Sequence, residues 1–155
     1  GTTSDGPPPP AATSCMTERI FVDSNVLVYA HDSGAGTRHE VARDLVLELW
    51  RDRTGVISTQ VLQEVYVNLR RKTARPLAAV EARDIVAEYL TWDVVVNDGE
   101  SVLEAVRLEE RYRISFWDAL VVAAANAGGA VVLLTEDLSH GQRYGGVTAR
   151  DPFRS

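Results

Sequence analysis

Short apolar runs alternate with longer segments of helical periodicity along most of the chain. The pattern predicts strands at 19–22, 56–57, 94–96, 130–134 and 146–149, and helices at 24–31, 38–53, 60–72, 77–91, 100–112 and 115–127. Strands that are apolar throughout and are separated by helices are typical of a parallel sheet covered on both faces. We therefore predict a single α/β domain with a parallel, roughly five-stranded sheet flanked by helices.

The apolar positions also indicate which side chains form the core. In the helix predicted at 100–112, we expect Val102, Leu103, Val106 and Leu108 to lie inside, because they recur at helical spacing. We expect the three tryptophans, Trp50, Trp92 and Trp117, to lie in the core or to face a partner, and not to serve as base-stacking platforms.

Residues 1–15 differ in composition from the rest of the chain. They read GTTSDGPPPPAATSC, with no Val, Ile, Leu, Phe, Tyr or Trp, and the only methionine, Met16, follows them. We interpret 1–15 as a tag or cloning scar before a native domain at 16–155; a natural Pro-rich tail is the alternative. Either should be disordered, and the segment lacks the apolar region of a secretory signal.

Charge and cysteine content limit the classes of function. The formal net charge is −6, and an acidic balance argues mildly against a nucleic-acid binder unless the acids surround cations that cancel their charge. The only cysteine is Cys15, so a disulfide framework or a zinc–thiolate site is excluded. No apolar run reaches the roughly 18–20 residues of a membrane span. We expect a cytoplasmic protein with no membrane partner.

Four acidic residues stand at unusual places in this pattern. Asp23 ends the first predicted strand, and Asp137 follows the strand at 130–134. Glu64 and Asp118 lie in the first two turns of apolar helices that follow strands or strand-like linkers. The carboxyl ends of parallel strands and the starts of the next helices lie at one edge of the sheet. We therefore expect the four carboxylates to meet there.

Each acid also has an ordinary structural interpretation. Asp23 could cap a helix, Glu64 could be an exposed rim residue, Asp118 has capping-box spacing from Ser115, and Asp137 could be a turn residue. Carboxylates that converge must take up protons or hold a cation, and an all-oxygen ligand set suits Mg²⁺ or Mn²⁺. Two such ions can activate a water and stabilise the leaving oxygen of a phosphodiester.

The segments RIFVDSNVLVYAHD, STQVLQEVYVNL, SFWDALVVAAA and LLTEDLSHGQ, in this order, carry a family resemblance. Together they resemble the four acidic motifs of the PIN-domain ribonucleases, and more narrowly those of VapC-type toxins of toxin–antitoxin pairs. The resemblance runs from about Arg19 to Phe153. It implies a Mg²⁺- or Mn²⁺-dependent endoribonuclease whose catalytic and metal-binding residues are Asp23, Glu64, Asp118 and Asp137.

The same resemblance suggests supporting residues. Ser24 stands where the family more often has Thr, and we expect its hydroxyl to orient the preceding aspartate or a metal-bound water. Asn25 matches the usual Asn. The fourth acid is assigned to Asp137, with Glu136 as the alternative, and we expect Thr135 to hydrogen-bond a ligand water.

Expected partners follow from the family as well. They are an RNA substrate, a VapB-like antitoxin that blocks the site, often with a basic side chain, and a second copy in a homodimer. The densest basic stretch, Arg70, Arg71 and Lys72, and Arg143 in a loop near the presumed site are candidates for RNA phosphate contacts.

Other functions on a similar fold are less consistent with the residues. A receiver domain needs a Lys after a late strand, but the only lysine is Lys72, in a predicted helix. A haloacid-dehalogenase-type phosphatase needs a second Asp at the position of Asn25. A metal-dependent nuclease acting on DNA and a non-catalytic RNA- or protein-binding PIN-like module remain as alternatives.

Overall fold

The computed structural model describes residues 18–154, so the predicted tag or tail at 1–15 lies outside the described residues. The strands are β1 (Ile20–Val22), β2 (Gly55–Ser58), β3 (Asp93–Val95), β4 (Val132–Leu134), β5 (Arg143–Tyr144) and β6 (Val147–Arg150). The helices are α1 (Ser24–Ala30), α2 (Thr37–Asp52), α3 (Thr59–Arg71), α4 (Ala79–Tyr89), α5 (Gly99–Tyr112) and α6 (Phe116–Ala127), with a 3₁₀ turn at Ser33–Ala35. No helix in this range combines the length and apolar character that crossing a bilayer requires.

The strands form one sheet in the order β3-β2-β1-β4-β6-β5. All neighbouring pairs are parallel except β5 and β6, which are antiparallel. The predicted α/β fold with its five parallel strands is confirmed. The two-residue strand β5 was not predicted, because so short a segment carries no periodicity; Gly145, at φ 67°, makes the tight turn that pairs it with β6.

Strand order places a switch point next to β1. The chain builds outward from β1 to β2 and β3, then returns to the other side of β1 with β4. Ligands of open parallel sheets bind beyond the carboxyl ends of the strands at such a point. The segments that follow β1 and β4 are therefore the ones that the fold presents to a ligand.

The sheet is covered on both faces. All four residues of β2 are buried, although alternate side chains point to opposite faces. Phe21, Ile57 and Leu133 on three adjacent strands are fully buried, and α6 packs on β2, β4 and β6. This core makes the strand ends rigid supports for the residues that follow them.

Helix α5 departs from the sequence-based expectation. Val102, Leu103 and Val106 are 44%, 68% and 50% exposed, so the prediction that they lie inside is wrong, whereas Leu108 is 2% exposed as expected. The helix is an outer one that packs chiefly on α6, and a single neighbour covers only a narrow stripe, which includes Ala105 and Leu108.

The three tryptophans occupy two different environments. Trp50 and Trp92 are half-buried in an aromatic cluster with Tyr89, with ring centroids 4.9 to 5.4 Å apart. Trp92 lies so close to Gly55 that a Cβ there would sit 2.4 Å from the indole ring. Trp117 is 63% exposed at the start of α6, so it is not a core residue.

Candidate active site

Asp23 stands at the end of β1, beside the end of β4. It is only 4% exposed. Its Oδ1 accepts the backbone N–H of Ser24 at 2.7 Å, which makes Asp23 the N-cap of α1, and its Oδ2 accepts the hydroxyl of Thr135 at 2.8 Å. A buried carboxylate is thus held by groups from two adjacent strand ends.

Glu64 reaches the same place from α3, whose first turn is capped by Ser58 through its hydroxyl and the Val61 N–H at 3.2 Å. The Ser24 hydroxyl donates to Glu64 Oε1 at 2.9 Å. The side-chain amide of Gln60, one turn earlier, lies 3.3 Å from Glu64 Oε2. These bonds turn Glu64 toward the end of β1.

Asp118 lies in the first turn of α6. Its backbone N–H donates to the hydroxyl of the N-cap residue Ser115 at 3.1 Å. The capping interpretation and the site interpretation therefore apply together, because the helix start that needs a cap also faces the carboxyl edge of the sheet.

The loop after β4 presents two neighbouring acids with different surroundings. Asp137 Oδ2 accepts the side-chain amide of Asn25 at 3.1 Å. Glu136 accepts the Tyr29 hydroxyl at 3.0 Å and is paired with the Arg38 guanidinium at 2.8 Å. Asp137 thus faces the start of α1, whereas Glu136 forms an ion pair with Arg38.

Two hydroxyls have partners other than those expected from the sequence. The Thr135 hydroxyl donates to Asp23 and accepts the backbone N–H of Asp137 at 3.1 Å, so it links two acids directly. The Ser24 hydroxyl contacts Glu64, while its backbone N–H contacts Asp23. Each of these small side chains therefore supports a carboxylate.

All the acidic candidates line one open cavity of about 590 Å³. Its wall includes Asp23, Ser24, Asn25, Gln60, Gln63, Glu64, Val67, Asn68, Lys72, Trp117, Asp118, Val121, Glu136 and Asp137. Of the basic candidates, Lys72 is on this wall; Arg70 and Arg71 are exposed in the last turn of α3, and Arg143 is exposed on β5. The fold thus brings Asp23, Glu64, Asp118 and Asp137 together with one of the four basic residues.

Burial controls the charge of Asp23. It raises the pKa of Asp23 from 3.8 to about 7, against the opposing hydrogen bonds from Thr135 and the Ser24 N–H. The charges of Asp137 and Glu64 contribute to this rise. Without a positive partner, this carboxyl therefore carries a proton over part of the range below neutral pH.

The pKa values of two other acids are shifted in the same direction. Partial burial raises the pKa of Asp118, the Ser115 hydrogen bond lowers it, and the charge of Glu64 raises it. For Asp137, burial and the charges of Asp118 and Glu136 raise the pKa, and the Asn25 amide lowers it. The carboxylates repel one another across the cavity, which favours binding of a cation.

The residues fit a hard divalent cation. The donors are all oxygens, and the side-chain oxygen of Asn25 is buried without a hydrogen-bond partner among the described residues. Within residues 18–154, no three acids already stand at the mutual distances of a closed ligand group. Mg²⁺ does not need one, because it usually binds one or two carboxylates and completes its octahedron with water and substrate phosphate. Asp23, Asp118 and Asp137, with Glu64, would hold the ion.

The structure adds residues that the sequence did not single out. Gln60 connects α3 to α6 through Glu64 and the Trp117 carbonyl, which its amide approaches to 3.4 Å. Its position one turn before Glu64, on the same helix face, was the available signal. Tyr29 and Arg38, which hold Glu136, gave no such signal, because their contact with that residue spans distant parts of the chain.

Solved structures that share the fold include a VapC toxin and two VapBC complexes. VapC20 of Mycobacterium tuberculosis, described as a sarcin–ricin loop cleaving toxin, superposes with a TM-score of 0.58 at 21% identity, covering 74% of this chain and 86% of its own. DNA-bound VapBC of Salmonella typhimurium gives a TM-score of 0.62 at 15% identity, with 87% and 98% covered. VapBC2 of Rickettsia felis, bound to a promoter DNA fragment, gives 0.58 at 18%, with 84% and 96% covered. At these identities the likeness establishes the fold.

A sequence search of curated proteins found no match. The family model described as the PIN domain matches residues 20–144. That range begins at β1, ends at β5 and includes all five acids that line the cavity. On the extent of this match, which covers most of the chain, the protein belongs to the PIN-domain family.

Proposed function

We propose that this protein is a divalent-metal-dependent endoribonuclease, the toxin of a toxin–antitoxin pair. The observation that carries the proposal is the set of four carboxylates, delivered by four separate segments to one cavity of about 590 Å³ in a PIN-domain chain. Mg²⁺ is the proposed cofactor, with Mn²⁺ as a substitute. The reaction is hydrolysis of an RNA phosphodiester, and the proposed location is the cytoplasm.

The residues have distinct parts in this reaction. A bound divalent cation would stabilise negative charge on the phosphate and lower the pKa of a water. Asp23 is held rigidly by Thr135 and the Ser24 N–H. Glu64 is oriented by Ser24 and Gln60. These fixed positions lower the entropic cost of assembling the site, and the acids must be ionised to hold a cation.

The protein's own charges also select how the substrate enters. A phosphate that approaches the uncompensated carboxylates is repelled, so the acids discourage RNA binding in the absence of a cation. Lys72, on the wall of the same cavity, provides a positive group for another phosphate of the substrate backbone. The substrate would therefore lie with its backbone between the acids and the end of α3.

Cleavage of RNA and its loss in matched variants tests the proposal. Purified protein should cut some species in total cellular RNA with Mn²⁺ or Mg²⁺ and stop with EDTA. Asp23→Asn and Asp118→Asn should each abolish cleavage with the fold retained by circular dichroism. Asp44→Asn, an exposed change on α2, is the control that should leave cleavage unchanged. Cleavage by both site variants at the parent rate would contradict the assignment.

The same assay separates the alternatives. Labelled single-stranded DNA run beside the RNA identifies a DNA nuclease, if only the DNA is cut. Binding of RNA with no cleavage by the parent, at any divalent metal concentration, would indicate a non-catalytic module. The presence of all four acids on the cavity wall favours the enzyme over that module.

Two protein partners complete the proposal. The Salmonella and Rickettsia structures are VapBC complexes, which supports a VapB-like antitoxin for this chain. The acidic cavity would accept a basic side chain from it. Co-purification with the product of the adjacent gene, and inhibition of cleavage by it, tests this partner; no interaction would exclude that product.

A homodimer is the second proposed partner arrangement. The exposed apolar side chains of α5, Val102, Leu103 and Val106, give a surface that a second copy could cover. Light scattering should show a dimer for the parent and a monomer for Leu103→Asp. A monomeric parent would contradict the dimer.

A further inference from the structure

We propose that a base of the RNA substrate next to the cleavage site stacks on the indole of Trp117. The inference deepens the proposed ribonuclease function and rests on it. It assigns a substrate-binding role to a residue that the sequence led us to expect in the core or against a partner.

The first observation is the exposure and position of Trp117. Its side chain is 63% exposed, yet it lines the cavity that contains the acids and directly precedes Asp118. Leaving most of an indole in water forgoes the free energy of burying it. The exposed face is therefore available to a flat partner within one residue of a carboxylate of the site.

The second observation is that Trp117 is held in place. Phe116 packs edge-on against its ring, with centroids 5.2 Å apart and planes at 79°. The side-chain amide of Gln60 approaches the backbone carbonyl of Trp117 and also reaches Glu64. A rigid aromatic ring loses little conformational entropy when a base stacks on it, and every base has a face that can stack.

The third observation is the shape of the cavity along α3. Its lining residues Gln60, Glu64, Val67 and Asn68 share one face of the helix, and Lys72 follows at the helix end. At 1.5 Å per residue the lined face is roughly 18 Å long, which is a groove for several nucleotides. The groove runs from acids to Lys72, so a flanking phosphate finds the positive end.

Unpaired RNA fits this groove better than a duplex. Bases within a helix already stack on their neighbours, whereas those of loops and single strands can turn onto an aromatic side chain. A stacked base near the acids and a phosphate at Lys72 would fix the register of the chain in the site. The chemistry of recognition is therefore a base face and a backbone charge, with little sequence readout.

The test begins by mapping the cleavage site that the parent protein makes in total cellular RNA. A short RNA that spans this cut is compared with the same RNA carrying an abasic nucleotide on either side of it. Trp117→Ala should lower kcat/KM on the intact RNA by roughly 5- to 150-fold, and Trp117→Phe should retain most of the activity. Removing the stacked base should lower the parent's kcat/KM similarly, and Trp117→Ala should then have no further effect.

The matched control is Leu47→Ala on α2, which removes a comparably exposed apolar side chain, 59% exposed, away from the cavity and from the proposed dimer surface. It should cut as the parent does. Parent-like cleavage by Trp117→Ala would overturn the stacking role. If that variant also bound the antitoxin less well, the ring would serve the protein partner and not the substrate. The stacking role would also be overturned if Trp117→Ala lowered kcat/KM by the same factor on the intact RNA and on every abasic RNA.

A binding measurement distinguishes failure of this inference from failure of the proposed function. In Asp118→Asn protein with Mg²⁺, an unstructured single-stranded RNA oligonucleotide should quench the emission of Trp117, and the quenching should disappear in the Trp117→Phe double variant. Trp50 and Trp92 are half-buried against Tyr89 and should not respond. If the parent cleaves nothing, the ribonuclease proposal fails, and this titration still decides whether a base stacks on Trp117.

Discussion

The buried carboxyl of Asp23 should make the metal-free protein less stable as the pH rises. Its pKa in the folded protein is about 7, against 3.8 for an ordinary Asp. Between these two pH values the folded chain keeps a proton that the unfolded chain has released. Raising the pH therefore favours the unfolded state, and the stability contribution that is present below about pH 4 is lost by about pH 7.

The magnitude follows from the same two values. At about 1.4 kcal/mol per pH unit, the difference between 3.8 and about 7 amounts to about 4 kcal/mol. Asp23→Asn removes the ionisation but keeps an oxygen for the Ser24 N–H; the bond from Thr135 must reverse, at a cost of about 1 kcal/mol. The variant should be slightly less stable than the parent near pH 4 and a few kcal/mol more stable above pH 7.

Urea denaturation in EDTA, followed by circular dichroism across this pH range, measures the difference directly. EDTA is needed because a cation that binds only the folded protein would stabilise it, by about 2.7 kcal/mol at a hundred times Kd. Asp44→Asn, on the solvent face of α2, should track the parent at every pH. A difference between Asp23→Asn and the parent that does not change with pH would refute the reasoning, as would a parent that gains stability toward neutrality.

Three further outcomes can be measured. Cleavage should fall as the pH drops below about 7, because protonation of Asp23 competes with binding of the cation. More Mn²⁺ should move the midpoint of this pH profile to lower pH, and a midpoint that does not depend on metal concentration would contradict the explanation. Asp137→Asn should abolish cleavage. Glu136→Gln should keep most of the cleavage activity but lower the melting temperature, because it removes the ion pair with Arg38. The reverse result would make Glu136 the fourth acid. Ser24→Ala should weaken Mn²⁺ binding, measured calorimetrically, by about 10- to 100-fold because Glu64 loses its hydroxyl donor, and Ser24→Thr should restore it.

The contrast between Glu136 and Asp137 shows where sequence reasoning stops. Both acids follow β4 and are adjacent, so no local pattern separates them. The structure separates them because Tyr29 of α1 and Arg38 of α2 bind Glu136, whereas Asn25, at the start of α1, donates to Asp137. The partner of a charged group depends on which distant segment packs beside it.

Exposure was the other property that the sequence described poorly. The periodicity of α5 identified an apolar stripe, but Leu103 lies at the surface because this outer helix packs chiefly on α6 alone among the helices. Of the two positions expected for Trp117, the core one is wrong, because the side chain is 63% exposed beside the site, and the partner-facing one stays a prediction. An apolar side chain favours burial, but whether it is buried depends on how many neighbouring elements pack against it.

The sequence by itself determined the order of strands and helices, the parallel sheet, and the four acids that follow strand ends or begin helices, because these depend on local periodicity and on the direction of parallel strands. Only the tertiary structure decided that Asp23 is buried, that Thr135 and Ser24 donate to carboxylates, and that Trp117 and Lys72 share the cavity of the acids. The physical reason is that burial, hydrogen bonding and charge coupling are set by groups far apart in the chain, and packing alone brings them together.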